Sequence, residues 1–531
     1  MAAIPKHLRV AGLAIGLAFA TLATAAPPEG LDARINAVIH EFGVPGMAVA
    51  IVEDGKVVHA KGYGVRRLGA SEPVDADTIF PIGSTGKAMT TAALAVLVDE
   101  KKIGWDDRVI DHLPGFQMYD PWVTREITIR DLLVHRSGLG LGAGDLMFVP
   151  RTSLSRAETV RRLRYIKPAT SFRSGYAYDN VLYMVAGELI EAVSGQSWED
   201  FVREHLFKPA GMSESTDEAK YFFATGNRVQ PHARTDGEIR GVGTQAVLDE
   251  REVVVSRNAS PAGGISSSAN DMGRWLAIQL GHGALPGDGK VRLFSEDASR
   301  EMWTPQVLMP IAQYPAPIAE ATPKFSAYAL GWDVEDYKGA KIISHGGAVF
   351  GVQTYVVLIP ERNVGFSLQI NSEDGVVLKG IANELLDYYL GAPKRDWVAD
   401  FGAFKKARVA RAQAAMASLK QEKKPSRPSL PVSGYAGRYA DAWYGPIDVT
   451  QSAGNLRIDF KQTPNMAGRL EHWQYDTFIA RWDDRTIEPA YVTFALDADG
   501  SVARITMKPV SPLADFSWDF QDLLFTPVSK E

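Results

Sequence analysis

Residues 80–91 have the sequence FPIGSTGKAMTT, and this stretch organises the rest of the chain. An apolar, extended start leads to Ser84, and a pattern rich in alanine and leucine then predicts a helix to about Asp99. Positions i and i+3 lie on one face of a helix, so the side chains of Ser84 and Lys87 can meet. We therefore expect a strand that leads into a helix with a serine and a lysine on the same face.

A serine and a lysine at this spacing are typical of nucleophilic catalysis. A serine hydroxyl is a weak nucleophile until a neighbouring base takes its proton, and a partly desolvated lysine has a lowered pKa that suits it to this task. The N–H groups of the first helical turn also point at the place where an oxyanion would form beside Ser84. The alternative is a serine that caps the helix and a lysine that is exposed, because so short a pattern is not specific.

The composition is that of an ordinary globular protein with two or three domains. Of 531 residues, 46% are hydrophobic and 23% are charged. The formal net charge of −6 indicates no basic face for nucleic acid, so we expect no nucleic-acid partner. The absence of cysteine excludes disulfides, thiolate metal sites and a cysteine nucleophile. We expect neither a metal nor a cofactor.

The N-terminus has the pattern of a signal peptide over residues 1–25. A basic start with Lys6 and Arg9 precedes an apolar run over residues 10–22, which is short for a membrane span. Residues 23–25, Ala-Thr-Ala, match a small-x-small cleavage site, so the mature chain would begin at Ala26. We expect a periplasmic or secreted protein with no membrane span after cleavage. The alternative is an uncleaved membrane anchor.

The order of predicted elements favours an α+β domain over residues 26–392. A hairpin of two strands turns at Asp54-Gly55, a mostly helical region follows, and a helix over about 376–390 closes the domain. Late strands are predicted over residues 328–334, 341–344, 353–359 and 364–370. This order predicts an antiparallel sheet flanked by helices, an α/β sandwich, with a helical subdomain.

The remaining sequence predicts a linker and a second domain. Residues 393–430 contain a basic, alanine-rich helical pattern followed by KKPSRP at 423–428, which indicates a helical linker. From residue 431 to 531, short alternating stretches lie between glycine and aspartate turns. This pattern predicts a small all-β barrel.

Two further clusters carry residues suited to catalysis. A tyrosine such as Tyr178 can act as a phenolate base or pass a proton to a leaving group, and the amide of Asn180 can orient a lysine and bind a substrate carbonyl. The sequence His-Gly-Gly-Ala at 345–348 follows a predicted strand, and its glycines would let a substrate lie along that strand. Each cluster alone is more typical of a structural tyrosine or histidine than of catalysis.

The ordered set of clusters resembles the penicillin-recognising serine hydrolases. These include class C β-lactamases, D,D-carboxypeptidases, D-aminopeptidases and related esterases, and they carry S-x-x-K, Y-x-N and then K-T-G or H-x-G. The corresponding pairs here are Ser84/Lys87, Tyr178/Asn180 and His345/Gly347. The resemblance covers about residues 30–390, and the C-terminal region resembles a barrel appended to some of these peptidases.

The resemblance implies a role for each matching residue. Ser84 would be the nucleophile that forms an acyl-enzyme, and Lys87 and Tyr178 would share the proton transfers. The other implied residues are Asn180, His345 and Gly347 for substrate binding, and the backbone N–H groups of Ser84 and Ala348 for the oxyanion hole.

The departures from the family pattern bear on the substrate. His-Gly-Gly lacks the lysine and the hydroxyl of K-T-G, and it resembles D-aminopeptidases and some esterases more than β-lactamases. Gly86 is expected to leave room near the nucleophile.

The implied function is an exported serine hydrolase that cleaves an amide bond in a small or D-residue-containing peptide. The alternatives are a carboxylesterase, a β-lactamase, and a catalytically idle penicillin-binding or scaffold protein. The barrel would wall the site, contact another copy in a homo-oligomer, or only stabilise the chain.

Overall fold

The structure is a computed structural model that describes residues 27–528, apart from residues 253, 288 and 453. The signal peptide predicted over residues 1–25 lies outside the described residues. The helices are, in chain order, α1 Leu31–Phe42, α2 Lys87–Asp99, α3 Val109–His112, α4 Pro121–Glu126, α5 Ile129–Leu133, α6 Arg156–Arg162, α7 Val181–Ser194, α8 Trp198–Val202, α9 Lys208–Ala210, α10 Ala219–Ala224, α11 Ser260–Gly263, α12 Ala269–Leu280, α13 Glu296–Met302, α14 Gly375–Leu390 and α15 Trp397–Gln421.

The strands fall into an N-terminal and a C-terminal set. The first set is β1 Gly46–Glu53, β2 Lys56–Gly64, β3 Phe80–Pro81, β4 His232–Ala233, β5 Ala246–Val247, β6 Ser266–Ser267, β7 Val307–Leu308, β8 Ser326–Tyr328, β9 Asp333–Tyr337, β10 Ala340–Val349, β11 Val352–Ile359 and β12 Val364–Ile370. The second set is β13 Gly437–Asp441, β14 Gly445–Ser452, β15 Asn455–Phe460, β16 Ala467–Gln474, β17 Thr477–Trp482, β18 Ala490–Leu496, β19 Val502–Pro509 and β20 Leu524–Pro527.

The N-terminal domain is built on one antiparallel sheet of eight strands in the order β2-β1-β12-β11-β10-β9-β8-β7. Strand β1 is buried along its whole length because it lies between β2 and β12. The turn between β1 and β2 is the predicted one: Asp54 and Gly55 both have positive φ, as the tight hairpin turn requires. The sheet brings the first hairpin beside the last strand, with Met47 opposite Ile370.

Helices cover both faces of this sheet. On one face, α1 and α14 pack against the strands, and α1 contributes side chains at helical spacing, namely Leu31, Ile35, Val38 and Ile39. On the other face lie α12 and the helical region that includes α2 and α7. The predicted antiparallel sheet with flanking helices and a helical subdomain is therefore confirmed.

The prediction of one strand over residues 328–334 is wrong. The chain instead forms β8 and β9, which pair as a hairpin around residues 329–332, with Tyr328 opposite Asp333. Gly331 has φ +82 in this turn, and a Cβ there would lie 2.9 Å from the hydroxyl of Thr91 and 3.1 Å from the backbone nitrogen of Ala88. The turn is apolar because it packs on α2, and that apolar character gave it the pattern of a strand.

The C-terminal domain is a closed barrel formed by β13 to β20, as the sequence predicted. Helix α15 precedes it and covers much of the linker region. The chain between β19 and β20, residues 510–523, leaves the barrel and contacts the N-terminal domain; we call it the barrel segment. Its Asp519 carboxylate accepts a hydrogen bond of 2.7 Å from the backbone nitrogen of Gly144. No helix among the described residues is both long and apolar enough to cross a membrane.

Candidate active site

Ser84 occupies the one accessible position in a buried stretch. Every residue from 78 to 95 is buried except Ser84, which is partly exposed and lines a cavity of about 1040 Å³. The serine lies in a single 3-10 turn, Gly83–Gly86, and α2 begins only at Lys87. The expectation that Ser84 starts the α-helix is corrected accordingly. The tighter turn exposes the hydroxyl to the cavity while its neighbours are packed.

Close backbone contacts hold this turn against β10. Gly83 has φ +52, and a Cβ there would lie 2.7 Å from the backbone nitrogen of Ala348. A Cβ on Gly347 would lie 2.0 Å from the carbonyl oxygen of Ile82, which also accepts a 2.8 Å hydrogen bond from the hydroxyl of Thr354. Both glycines are therefore required by contact between backbones.

Gly86 does not provide the expected room beside Ser84. A Cβ at this position would contact the side chain of Ile265 at 3.5 Å, which is an ordinary van der Waals distance. The glycine faces the protein interior, and the expectation from the sequence is wrong on this point.

Lys87 is fully buried and points its ammonium at Ser84. Its Nζ donates to the Oγ of Ser84 at 3.0 Å, to the Oδ1 of Asn180 at 2.6 Å and to the carbonyl of Ala262 at 2.8 Å. Burial lowers the pKa of Lys87 to about 7, against the opposing effect of nearby carboxylates. A substantial fraction of Lys87 is therefore neutral at pH 7 and able to accept a proton.

The phenol of Tyr178 belongs to the same cluster of side chains as Ser84 and Lys87. Its hydroxyl oxygen is buried and has no hydrogen bond of normal geometry within the described residues, while the Nζ of Lys87 lies 5.0 Å from the ring centroid. Burial raises the pKa of Tyr178 well above its ordinary value, although an interaction with Ser84 acts to lower it. The phenol is therefore protonated in the free protein, which suits it to donate a proton and not to act as a phenolate base.

His345 makes both of its ring hydrogen bonds inside the protein. Its Nδ1 lies 2.6 Å from the carbonyl oxygen of Gly346, which can only accept, so Nε2 accepts from the hydroxyl of Tyr328 at 2.8 Å. Burial lowers the pKa of His345 to about 3, so the ring is neutral near pH 7. His345 thus offers no positive charge to a substrate carboxylate.

The edge of β10 beside Ser84 is open. Strand β10 pairs with β9 only as far as Ser344 but continues to pair with β11 as far as Val349, so no described strand covers the other edge of residues 345–349. Ala348 on this edge is exposed, lines the cavity and has its backbone nitrogen close to Gly83. An extended substrate can add to such an edge as a further strand.

Asn180 connects Lys87 to two residues that the sequence analysis missed. Its Nδ2 donates to the Oδ2 of Asp145 at 2.8 Å, and the hydroxyl of Ser517 donates to the same oxygen at 2.8 Å. Asp145 begins a 3-10 turn that follows a glycine-rich loop, and Ser517 lies in the barrel segment, so no local spacing connects them with Lys87. Only the fold brings the four side chains together.

The barrel segment forms part of the cavity wall. Phe516 packs edge-on against Tyr178 with ring centroids 5.6 Å apart, and Trp518 stacks on Phe350 at 5.8 Å. The close approach needs a glycine at position 142, where a Cβ would lie 2.5 Å from the carbonyl oxygen of Phe516. The C-terminal domain therefore shapes the site, which was one of the alternatives left open by the sequence.

Comparison with known families agrees with this geometry. A sequence profile of the Beta-lactamase family matches residues 31–389. The chain belongs to the beta-lactamase family. This family consists of serine hydrolases, and the match spans the sheet, the helical subdomain and all of the N-terminal site residues. A second profile, a domain of unknown function (DUF3471), matches residues 421–527 and so covers the barrel.

Individual relatives extend over one or both domains. Unguisins hydrolase ungD from Aspergillus violaceofuscus (strain CBS 115571) is 27% identical over 504 residues, which cover 88% of this chain and 86% of that protein. Penicillin-binding protein 4 from Amycolatopsis lactamdurans is 28% identical over 342 residues, which cover 64% of this chain and 84% of that protein. The first similarity includes the barrel as well as the beta-lactamase domain.

Solved structures share the two-domain fold. The octameric penicillin-binding protein homologue from Pyrococcus abyssi matches with a TM-score of 0.57 and 21% identity, covering 90% of this chain and 97% of that chain. SurE matches with a TM-score of 0.51 and 21% identity, covering 94% of this chain and 98% of that chain. At these identities the likeness concerns the fold alone.

Proposed function

We propose that this protein is an exported serine hydrolase that works through an acyl-enzyme on Ser84. The observation that carries the proposal is the hydrogen bond from a fully buried lysine of lowered pKa to the one accessible hydroxyl of its stretch. Export rests on the signal-peptide pattern of residues 1–25.

The arrangement supports each step of acyl transfer. Neutral Lys87 takes the proton of Ser84 as its oxygen attacks the substrate carbonyl, and the N–H groups of Ser84 and Ala348 stabilise the oxyanion. The phenol of Tyr178 gives a proton to the leaving group and regains one from Lys87, so the proton taken from Ser84 leaves with the product. Water then attacks the acyl carbonyl: Tyr178 takes a proton from water as it passes its own to Lys87, and the oxygen of Ser84 regains a proton from Lys87 as the acyl product leaves.

The proposed substrate is a small or D-residue-containing peptide with a free amino group. The open edge of β10 suits an extended backbone, and the carboxylate of Asp333 lines the cavity with no hydrogen bond or ion pair to any described residue. Burial raises the pKa of Asp333 to about 7, so a neighbouring ammonium would favour its ionised form. The relative named as an unguisins hydrolase is compatible with hydrolysis but does not define the bond cleaved here.

Carboxylesterase activity is the second candidate. The same acyl-enzyme chemistry serves both substrates, and an ester needs less help at its leaving group than an amide. The neutral His345 favours either of these over β-lactam hydrolysis, because a β-lactam carries a carboxylate that a positive group would hold.

The test is labelling and turnover on the full-length protein. We expect a fluorophosphonate probe to label Ser84 and a panel of D- and L-aminoacyl anilides, p-nitrophenyl esters and nitrocefin to rank aminoacyl anilides first. Absence of labelling would favour the catalytically idle scaffold. Labelling with turnover of esters alone would favour the carboxylesterase.

A further inference from the structure

Asp145 is a buried carboxylate that the proposed reaction does not use. It is fully inaccessible to solvent, and its Oδ2 accepts both hydrogen bonds described above while its Oδ1 has no partner among the described residues. A buried charged group with an unpaired oxygen is destabilising unless a nearby charge compensates it. The candidate for that charge is Lys87, which bonds to the other end of the Asn180 amide and whose charge acts on Asp145.

The amide of Asn180 is oriented by both neighbours. Its oxygen accepts from the ammonium of Lys87, and its nitrogen donates to the carboxylate of Asp145. A flipped amide would face its NH2 group to a cation and its oxygen to an anion, so only the observed orientation satisfies both ends. The amide dipole thus lies between a cation and an anion with the favourable sign at each end.

We propose that Asp145 is the buried counter-charge of Lys87, and that the Ser517 hydroxyl of the barrel segment keeps Asp145 ionised. Both are positioning residues, since each is proposed to act on the reaction only through Lys87. The proposal rests on the proposed role of Lys87 as the base for Ser84. It gives the C-terminal barrel a part in the proton chemistry of the beta-lactamase domain.

The other charged groups around this chain of hydrogen bonds are consistent with that assignment. Asp145 acts more strongly on Lys87 than the second nearby carboxylate, Asp179, which also contacts Ser137 and His135. The remaining titratable groups that face Lys87 or Asp145 are Tyr178, Tyr183, His135, His345, Asp515 and Asp519.

The direction of each effect follows from these contacts. Burial raises the pKa of Asp145 well above its ordinary value, and the hydrogen bonds from Ser517 and Asn180 and the charge of Lys87 act to lower it. The carboxylate of Asp145 in turn raises the pKa of Lys87. Loss of the carboxylate should therefore lower the pKa of Lys87, and loss of the Ser517 hydroxyl should do the same more weakly by making Asp145 harder to ionise.

The experiment follows the rate of fluorophosphonate labelling of Ser84 against pH in the full-length protein. We expect the wild-type rate to rise with a midpoint near pH 7, as Lys87 loses its proton. The midpoint should fall by about one pH unit in Asp145→Asn. It should fall by a smaller amount in Ser517→Ala. The matched control is Ser501→Ala, which removes another barrel serine bonded to an aspartate, Asp499, at 2.7 Å, and it should leave the midpoint unchanged.

The outcomes separate this inference from the proposed function. Wild-type protein that is not labelled at any pH contradicts the proposed function itself. If Asp145→Asn has the same midpoint as wild type, or a higher one, Asp145 is purely structural and the inference is overturned. This holds even when the labelling rate of the variant is lower at every pH. If circular dichroism shows that Asp145→Asn does not fold, Ser517→Ala decides alone: a downward shift supports the inference, and an unchanged or raised midpoint overturns it.

Discussion

The two walls of the cavity are built in different ways. The wall of the beta-lactamase domain consists of the turn Gly83–Gly86 and strand β10, whose backbones touch at Gly83 and Gly347. The other wall is the barrel segment, whose backbone also lies close to Gly142 but which presents the side chains of Phe516 and Ser517, and not the atoms proposed to react, to the site. Backbone contact holds the atoms proposed to react within the narrow limits that acyl transfer requires, whereas a wall of side chains can change without moving Ser84. We therefore expect the first wall to determine whether the reaction occurs and the second to adjust it.

The largest effect is expected from Ser84→Ala. This change removes the proposed nucleophile from the first wall, and alanine fits the same turn, so turnover and covalent labelling should be abolished while the protein folds. Turnover of the best anilide or ester and circular dichroism check this together. Residual activity within tenfold of wild type would show that Ser84 is not the nucleophile.

The next effect is expected from Lys87→Ala and Tyr178→Phe. Each should lower kcat by at least about 100-fold, the usual scale for a group that transfers a proton. Wild-type kcat should rise with pH through about 7 because Lys87 must lose its proton first, and Tyr178→Phe should keep that midpoint. A kcat for Tyr178→Phe within tenfold of wild type would make Tyr178 a structural residue.

A third change tests the contact between the backbone of β10 and the backbone just before Ser84. Gly347→Ala should destabilise the protein by about 1–3 kcal/mol or more, because the new methyl group meets the rigid carbonyl of Ile82 at 2.0 Å. Gly346→Ala is the matched control, since its nearest neighbour would be the ring of Tyr355 at 3.9 Å. Thermal unfolding and the labelling rate of Ser84 measure both variants. Equal stability of the two variants would contradict the close packing of β10 on this turn.

The first wall could be predicted from the sequence because its key residues lie close together in short sequence motifs. Ser84 and Lys87 are three residues apart, and any helical turn brings them together, whether it is 3-10 or α. The strand predicted over residues 341–344 likewise identified β10, but the prediction that His345 follows the strand is wrong, because β10 continues to Val349. The apolar turn before Asp333 was missed because packing on α2 made it resemble a strand, and Gly331 alone marked it.

The second wall could not be predicted in this way. Ser517 and Asp145 are separated by 372 positions, and neither stands in a motif that indicates catalysis. A serine in a turn and an aspartate that follows a glycine-rich loop are common, and only the packing of the two domains joins them. The sequence predicted the barrel itself. The barrel segment has no periodic pattern, so nothing in its sequence predicted that it contacts the N-terminal domain.

A smaller effect is expected from Asp333→Asn, which removes the unpaired carboxylate of the cavity. The change should raise KM about tenfold for substrates with a free amino group and leave KM for their N-acetylated forms unchanged, as expected for loss of one charge-assisted hydrogen bond. Because the pKa of Asp333 is about 7, wild-type preference for the free amine should grow as pH rises through 7. Equal effects on both substrates would contradict an ammonium site at Asp333.

The smallest effect is expected from Phe516→Ala in the barrel segment. The ring packs edge-on against Tyr178, and such an aromatic contact contributes about 0.5–1.5 kcal/mol. KM for substrates with a bulky acyl group should rise by less than about tenfold, while kcat for a small ester such as p-nitrophenyl acetate stays within twofold. Tyr475→Ala, at an exposed barrel position away from the cavity, is the control and should change neither quantity. A loss of kcat as large as that of Tyr178→Phe would mean that the barrel segment fixes the reacting atoms as firmly as β10 does, and the difference between the two walls would no longer hold.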